Sequence, residues 1–165
     1  MSTSAKHSWR DWVGLIVRVA LAGVWLAAAM PKLANIPWFI HGINAYQLLP
    51  PSVAEILGYV LPVLELAAGI LLLLGLLTRP AAIVSALMLA AFIFGISWAW
   101  AQGLSIDCGC FGSGGEIAPE ATRYPEEIAR DVGLLLLAGW LIVRPASALS
   151  LDRRLFSIDA PADES

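Results

Sequence analysis

Charge is scarce in this chain of 165 residues: 14% are Asp, Glu, Lys or Arg, against 59% hydrophobic. A soluble domain of that length needs more polar surface to face water, so the composition excludes an ordinary soluble fold and makes the bilayer the solvent. The net charge of -3 is small, and the basic residues stand in short groups beside hydrophobic ends instead of along a stripe. That pattern excludes a nucleic-acid footprint. Cysteine is rarer still. Cys108 and Cys110 are the two present, and a pair separated by a single residue cannot form the framework that staples a small secreted domain.

What the chain has in abundance is apolar length. A spanning helix needs about 20 apolar residues at about 1.5 Å rise each. Four stretches are read as spans, the fourth being the shortest: Val13 to Ala34, Val53 to Leu77, Ala81 to Gln102 and Ile128 to Val143. The first, behind Lys6 and Arg10 and ending near Ala27-Ala28-Ala29, has features of a secretory signal. Its apolar core is longer than such a signal's and Trp25 is bulky for a cleavage region, so it is read as retained. The expectation is an all-α fold, an integral membrane four-helix transmembrane bundle with antiparallel neighbours. It occupies one domain over residues 1–150, followed by a short polar cytoplasmic tail over 151–165.

Orientation follows from the basic residues. Lys6, Arg10, Arg79, Arg144, Arg153 and Arg154 fall on one side of a four-span arrangement, and Lys32 and Arg123 on the other. The Lys/Arg excess makes both termini cytoplasmic and the cysteine loop extracytoplasmic, in a multi-pass plasma-membrane protein. Trp9 and Trp12 at the inner edge, with Trp38, Trp98 and Trp100 toward the outer one, match interfacial belts. Spans two and four both stop on Arg-Pro, at Arg79-Pro80 and Arg144-Pro145. Arg offsets the negative helix end and Pro cannot continue the ladder. Two consecutive helical hairpins of one orientation would produce that echo.

The third span runs into the segment Gly103 to Gly115, where Gly109, Gly112, Gly114 and Gly115 free the backbone to take positive φ. A disulfide needs Cα atoms about 4.4–6.8 Å apart, which Cys108 and Cys110 meet only if the chain bends at Gly109. The ring so closed is small and strained, which suits thiol–disulfide exchange better than architecture. Asp107 opposes the neighbouring thiolate and so favours the oxidised form. Two exposed thiols in an oxidising compartment react with each other or with a partner, which disfavours reading them as inert. A tetrahedral metal set completed by His41 and Asp107 is a competing chemistry. Cys-x-Cys is not a usual zinc spacing and nothing in the sequence brings His41 near, so no metal is assigned.

These residues carry a resemblance. The chain is similar over most of its length to the DoxX-like and MauE-like membrane proteins. The likeness rests on Met30-Pro31-Lys32-Leu33 ending the first span, Pro62-Val63-Leu64-Glu65-Leu66 within the second and Asp107-Cys108-Gly109-Cys110-Phe111-Gly112 after the third. It implies four helices and membrane redox work on thiols. MauE proteins are associated with methylamine utilisation and with disulfide formation in an exported dehydrogenase subunit, and DoxX-like relatives include quinone-linked subunits. Methylamine as a substrate is not implied, because nothing in this chain reads as an amine site. The arrangement is also similar in architecture to vitamin K epoxide reductase proteins, without their second cysteine pair.

Ionisable residues inside a span are costly and suggest function unless they snorkel. Arg18, about 8 Å past the inner boundary, is within snorkelling reach. Glu65 is not. It lies mid-span, three residues after Pro62, whose missing N–H leaves the Gly58 carbonyl unsatisfied and kinks the helix. Lys32 is its nearest partner in depth, and the pair either ties the first two spans together or handles protons. Arg130 and Asp131 open the fourth span beside the cysteine loop. Phe92, Phe94, Trp98 and Trp100 line the outer half of the third span, and Phe94 and Trp98 share a face at about 100° per residue. That face can pack against a quinone ring.

The sequence therefore supports a membrane-bound thiol–disulfide redox protein using Cys108 and Cys110, with Asp107, Gly109, Lys32, Glu65, Arg130 and Asp131 in support. Electrons pass to a quinone or to a protein thiol or disulfide partner, in support of disulfide formation or maturation of an exported protein. Either sulfur can be the one attacked. The competing readings are a non-enzymatic membrane anchor or assembly subunit of a larger complex, and a small transporter built on Glu65. Four short spans leave the transporter little room.

Overall fold

A computed structural model describes residues 9–111, 114–145 and 151. Lys6, Gly112, Ser113, Arg153, Arg154 and the tail beyond Leu151 lie outside the described residues. Four long helices account for most of the chain: α1 (Trp9–Ala34), α3 (Pro51–Leu74), α4 (Thr78–Ala101) and α5 (Tyr124–Val143). A short helix, α2 (Ile36–Ala45), joins the first two, and the α4–α5 connection holds a ladder of β1 (Ile106–Asp107) and β2 (Gly115–Glu116) and a 3-10 turn at Pro119–Ala121. This is an all-α multi-pass membrane protein. The 26 residues of α1 make about 39 Å at helical rise, more than the roughly 30 Å of a bilayer's hydrocarbon core.

Among the described residues α1, α3 and α4 are long and apolar enough to cross a membrane. The helix read as a fourth span begins earlier than Ile128, at Tyr124, because Pro125 suits a first helical turn where the missing N–H has no partner to lose. Its opening turns carry Glu126, Glu127, Arg130 and Asp131, so only its later part has span-like composition. The connection between the first two spans contains α2. Asn35 starts that helix by accepting the Trp38 N–H at 3.2 Å, and Pro37 again occupies the first turn.

The Arg-Pro echo is also corrected. The turn lies at Gly75 to Leu77, and Arg79-Pro80 sit in the first turn of α4, whereas Arg144 follows the end of α5. The two pairs are not equivalent positions. The helix α3 continues through Pro62.

Packing divides the helices into two closely joined pairs, α1 with α3 and α4 with α5. Small residues such as Ala22, Ala29, Ala68, Ala82 and Ala138 are buried at these contacts and let the backbones approach. Trp25 ties the pairs together by donating its indole N–H to Ser85 Oγ at 2.9 Å. Arg18, expected to snorkel, is enclosed by protein at 2% exposure.

A second apolar cluster caps the bundle end where α4 finishes and α5 begins, built on Ile96, Ala99, Ile106, Cys110 and Tyr124. It gives the cysteine loop a core of its own. The antiparallel ladder pairs Ile106 with Glu116 and Asp107 with Gly115. Tyr124 Oη donates to the Leu104 carbonyl at 2.5 Å and accepts the Ile106 N–H at 3.0 Å. The segment read as flexible, with two exposed thiols, is instead a folded turn, because Leu104, Ile106 and Tyr124 bury against α4.

Candidate functional site

Cys108 and Cys110 are free thiols in the structure and differ in surroundings. Cys108 is half-buried, while Cys110 is 8% exposed. Gly109 between them sits at φ +66°, a conformation an L side chain rarely adopts. A Cβ there would stand 3.2 Å from Gly114 Cα, and one on Gly42 of α2 would stand 3.1 Å from the Gly114 carbonyl carbon. Three glycines thus let α2, the cysteine turn and the start of β2 lie backbone on backbone. Asp107 Oδ1 accepts the Gly109 N–H at 3.4 Å, and Tyr46, just after α2, donates to the Cys108 carbonyl at 2.7 Å. Burial, followed by the nearby Cys110 and Cys108 sulfurs, pushes the Tyr46 phenol well above its ordinary range, so it remains a donor.

The electrostatics separate the two sulfurs. Hydrogen bonding from the Cys110 side chain is the main influence lowering Cys108. The Cys110 N–H, 3.3 Å from Cys108 Sγ, and Arg130 Nη2, at 4.0 Å, act in the same direction, while burial and Glu127 oppose them. The net effect holds the Cys108 thiol below its usual value. Cys110 moves the other way, raised first by its hydrogen bond to Cys108, then by burial and by the negative charge of Cys108 and Asp131. Of the two thiols, Cys108 is therefore the more readily deprotonated and Cys110 the less.

Arg130 is held for this task from two sides. Its Nη2 and Nε meet Asp131 Oδ1 at 2.9 and 3.0 Å, and its guanidinium carbon lies 5.0 Å from the Phe111 ring centroid. Asp107, Cys108 and Glu127 bring ligand atoms within 4.8 Å of one another, the grouping with metal-ligand chemistry among the described residues. The guanidinium beside Cys108 repels a cation, so these groups are the electrostatic surroundings of a thiolate. His41 lies apart from them, against Trp38 at 5.4 Å between ring centroids.

Behind the cysteines, between α1, α2, α3 and α4, is a cavity of about 370 Å³. Its walls are mostly apolar and include Phe39, Tyr46, Phe92 and Phe94, with Cys108, Cys110 and Lys32 supplying the chemistry. Lys32 Nζ reaches Glu65 Oε1 at 2.5 Å, both side chains having no exposure, and the ammonium faces the Phe39 and Phe92 rings with centroids at 5.0 and 5.4 Å. Of the two aromatic residues expected to face a quinone, Phe94 is on the cavity wall and Trp98 is not.

The structure therefore gathers Cys108, Cys110, Asp107, Gly109, Arg130 and Asp131 at one place, with Lys32 on the cavity wall and Glu65 behind it. Sequence reasoning missed Tyr46, Tyr124, Glu127, Phe39 and Gly42, and read Gly114 for backbone freedom where its role is close approach. A signal existed for the tyrosines, since a phenol in the short connections of so apolar a chain needs a partner for its hydroxyl.

The chain is similar to known proteins. The family described as Methylamine utilisation protein MauE matches residues 10–144. The Methylamine utilization protein MauE of Paracoccus denitrificans is 33% identical over 99 residues, covering 59% of this chain and 53% of that protein. That of Methylophilus methylotrophus is 36% identical over 99 residues, covering 59% and 52%. The matched segment thus spans about half the length of these relatives. No solved structure matches. With a match that runs from the first turn of α1 to the residue after α5 and takes in the whole cysteine turn, the chain belongs to the MauE family.

Proposed function

We propose that this chain is a membrane-bound thiol–disulfide redox protein in which Cys108 exchanges with a sulfur of another protein and Cys110 resolves the mixed disulfide. The observation that carries the reading is the geometry of the adjacent free thiols: Cys108 is half-buried with the Cys110 N–H 3.3 Å and Arg130 Nη2 4.0 Å from its sulfur, while Cys110 is buried beside it. Cys108 is the more accessible cysteine and the one more readily deprotonated, and both properties favour it as the attacking thiol and so as the atom bonded to the partner. The Lys/Arg distribution supports an orientation with both termini and the α3–α4 turn at the cytoplasmic face of the plasma membrane and α5 as a fourth span. The cysteine turn then meets exported proteins in an oxidising compartment. The relatives are named for methylamine utilisation, and maturation of an exported protein of that pathway is the setting we assign.

The electrons leave through the apolar cavity, to a membrane quinone or to a partner protein in a larger complex. The residues fit a quinone: about 370 Å³ lies within the roughly 300–1,000 Å³ of small-molecule sites, with Phe39 and Phe92 as flat walls. Lys32 would donate a hydrogen bond to a carbonyl oxygen, and the sulfurs adjoin the same space. A bound quinone supplies an acceptor for two electrons and two protons. The Cys108 and Cys110 thiols give up those electrons and protons as their S–S bond forms.

Trapping tests the exchange step. Cys110→Ser removes the resolving thiol, so a mixed disulfide through Cys108 should accumulate as a shifted band on non-reducing gels that collapses with reductant. Cys108→Ser should trap far less. Equal trapping by both variants would reverse or erase the assigned roles, and trapping by neither would remove the exchange reading.

A further inference from the structure

Cys110 lies between two spaces. One is the large apolar cavity, and the other is a cavity of about 20 Å³ whose lining includes Cys110, Arg130, Asp131 and the rings of Trp25, Phe92 and Phe111. That volume is room for a single water, which requires polar partners. Cys110, Arg130 and Asp131 are the lining residues whose side chains carry polar atoms. Asp131 is 2% exposed. Its Oδ1 takes both contacts from Arg130, while Oδ2 has no hydrogen-bond partner among the described residues.

A resolving thiol must lose its proton to attack. Cys110 is poorly placed to do so into bulk water, being buried and held up by its neighbours. We propose that Asp131 accepts the Cys110 proton across this small cavity, through one water, when Cys110 attacks, and returns it when Cys110 leaves. The inference rests on the thiol–disulfide reading above. In a mixed disulfide between Cys108 and a partner, the Cys110 S–H bond breaks and its proton passes to Asp131. The sulfur's electron pair forms the bond to Cys108 Sγ, the bond from Cys108 to the partner breaks, and the partner departs as a thiolate. The cysteine pair is oxidised and the partner reduced. In the opposite direction a partner thiolate attacks Cys108 of the closed disulfide, and Asp131 returns the proton to the departing Cys110.

The charged and titratable groups facing Asp131 come from three elements. Lys32 approaches from α1, Arg130 and Glu127 lie on α5, and Cys110 lies on the cysteine turn. The α4 side of the cavity is apolar, through Leu89 and Phe92. Two cations face the carboxylate, and Oδ2 has no hydrogen-bond partner among the described residues and is the oxygen open to a proton.

The test is a stopped-flow reaction of the reduced full chain in detergent with dithiobis-nitrobenzoate. Cys108 releases a first nitrothiolate on forming the mixed disulfide, and attack by Cys110 releases a second. General-base assistance is typically worth about 10²–10⁴-fold, so Asp131→Asn should slow the second release by about a hundredfold near neutral pH. The remaining rate should climb with pH without levelling. Arg130→Met should change the first release more than the second. An Asp131→Asn protein with the wild-type second release, or an Arg130→Met protein slowed equally in that step, would show that Asp131 only holds Arg130. The wild-type profile needs no variant: the second release should rise through a carboxylate titration and then level. A rise continuing through the ordinary thiol range overturns the inference even if Asp131→Asn does not fold. A wild type that gives no second release removes the exchange reading itself.

Discussion

Alanine at Gly109 perturbs the cysteine turn at a point where the cost can be worked out. At φ +66° an L residue is strained, by about 1–2 kcal/mol. The new Cβ would also stand 3.2 Å from Gly114 Cα and 3.6 Å from its nitrogen, both backbone atoms that cannot rotate away. The strain is relieved when the turn lifts from β2 and α2. Cys110 is 8% exposed, so it meets an alkylating reagent mainly through such openings. Weakening the closed state by about 1–2 kcal/mol raises the open population about 5- to 30-fold. Gly103 is the control, at φ +68° with no atom within 4 Å of a built Cβ. It carries the same torsional penalty without the contact. The assay is maleimide labelling of each protein in detergent at one pH, with the Cys108- and Cys110-containing peptides separated by mass spectrometry. Cys110 in Gly109→Ala should label about 5- to 30-fold faster than in the wild type, and faster than in Gly103→Ala. Equal acceleration in the two variants, or none in Gly109→Ala, would refute the stacked-backbone account of the site.

Much of the fold is legible in the sequence because lipid imposes few solutions. Long apolar runs must be helices when no water is present to satisfy the backbone, and the three most apolar runs are α1, α3 and α4. The misplacements have physical causes. Arg79-Pro80 reads as a stop signal, yet proline serves a first turn equally well, and only the real turn at Gly75 decides between them. Asn35 before Pro37 is a start signal for α2, obscured by the short apolar run that follows. At the site, the Cys-Gly-Cys chemistry is local and therefore readable. The partners of those sulfurs are not: Tyr46 lies 62 residues before Cys108 and Arg130 lies 22 after it. Gly42 and Gly114 are more hidden still, because a glycine chosen for close approach leaves no pattern along one strand of sequence.

Arg130→Met should raise the pH at which Cys108 becomes reactive. The folded site holds the Cys108 thiol below its ordinary value, with Arg130 contributing, so the wild-type labelling rate should level off at a lower pH than that of a free thiol. Removing the guanidinium shifts that inflection upward and leaves the slower Cys110 profile above it; an unmoved inflection would show that Arg130 does not act on the sulfur. The Lys32–Glu65 pair yields the last prediction. Both side chains have no exposure, and Glu65 Oε2 has no hydrogen-bond partner among the described residues, so this pair holds the carboxylate through Oε1 alone. Removing one member of such a pair typically costs about 3–5 kcal/mol, because the other is left as an uncompensated buried charge, whereas removing both can be nearly neutral. Lys32→Met and Glu65→Gln should each lower the midpoint of thermal unfolding in detergent, and the double variant should recover most of the loss. Strictly additive losses would mean that α1 and α3 are held by their small-residue packing alone, with the charges stabilised separately.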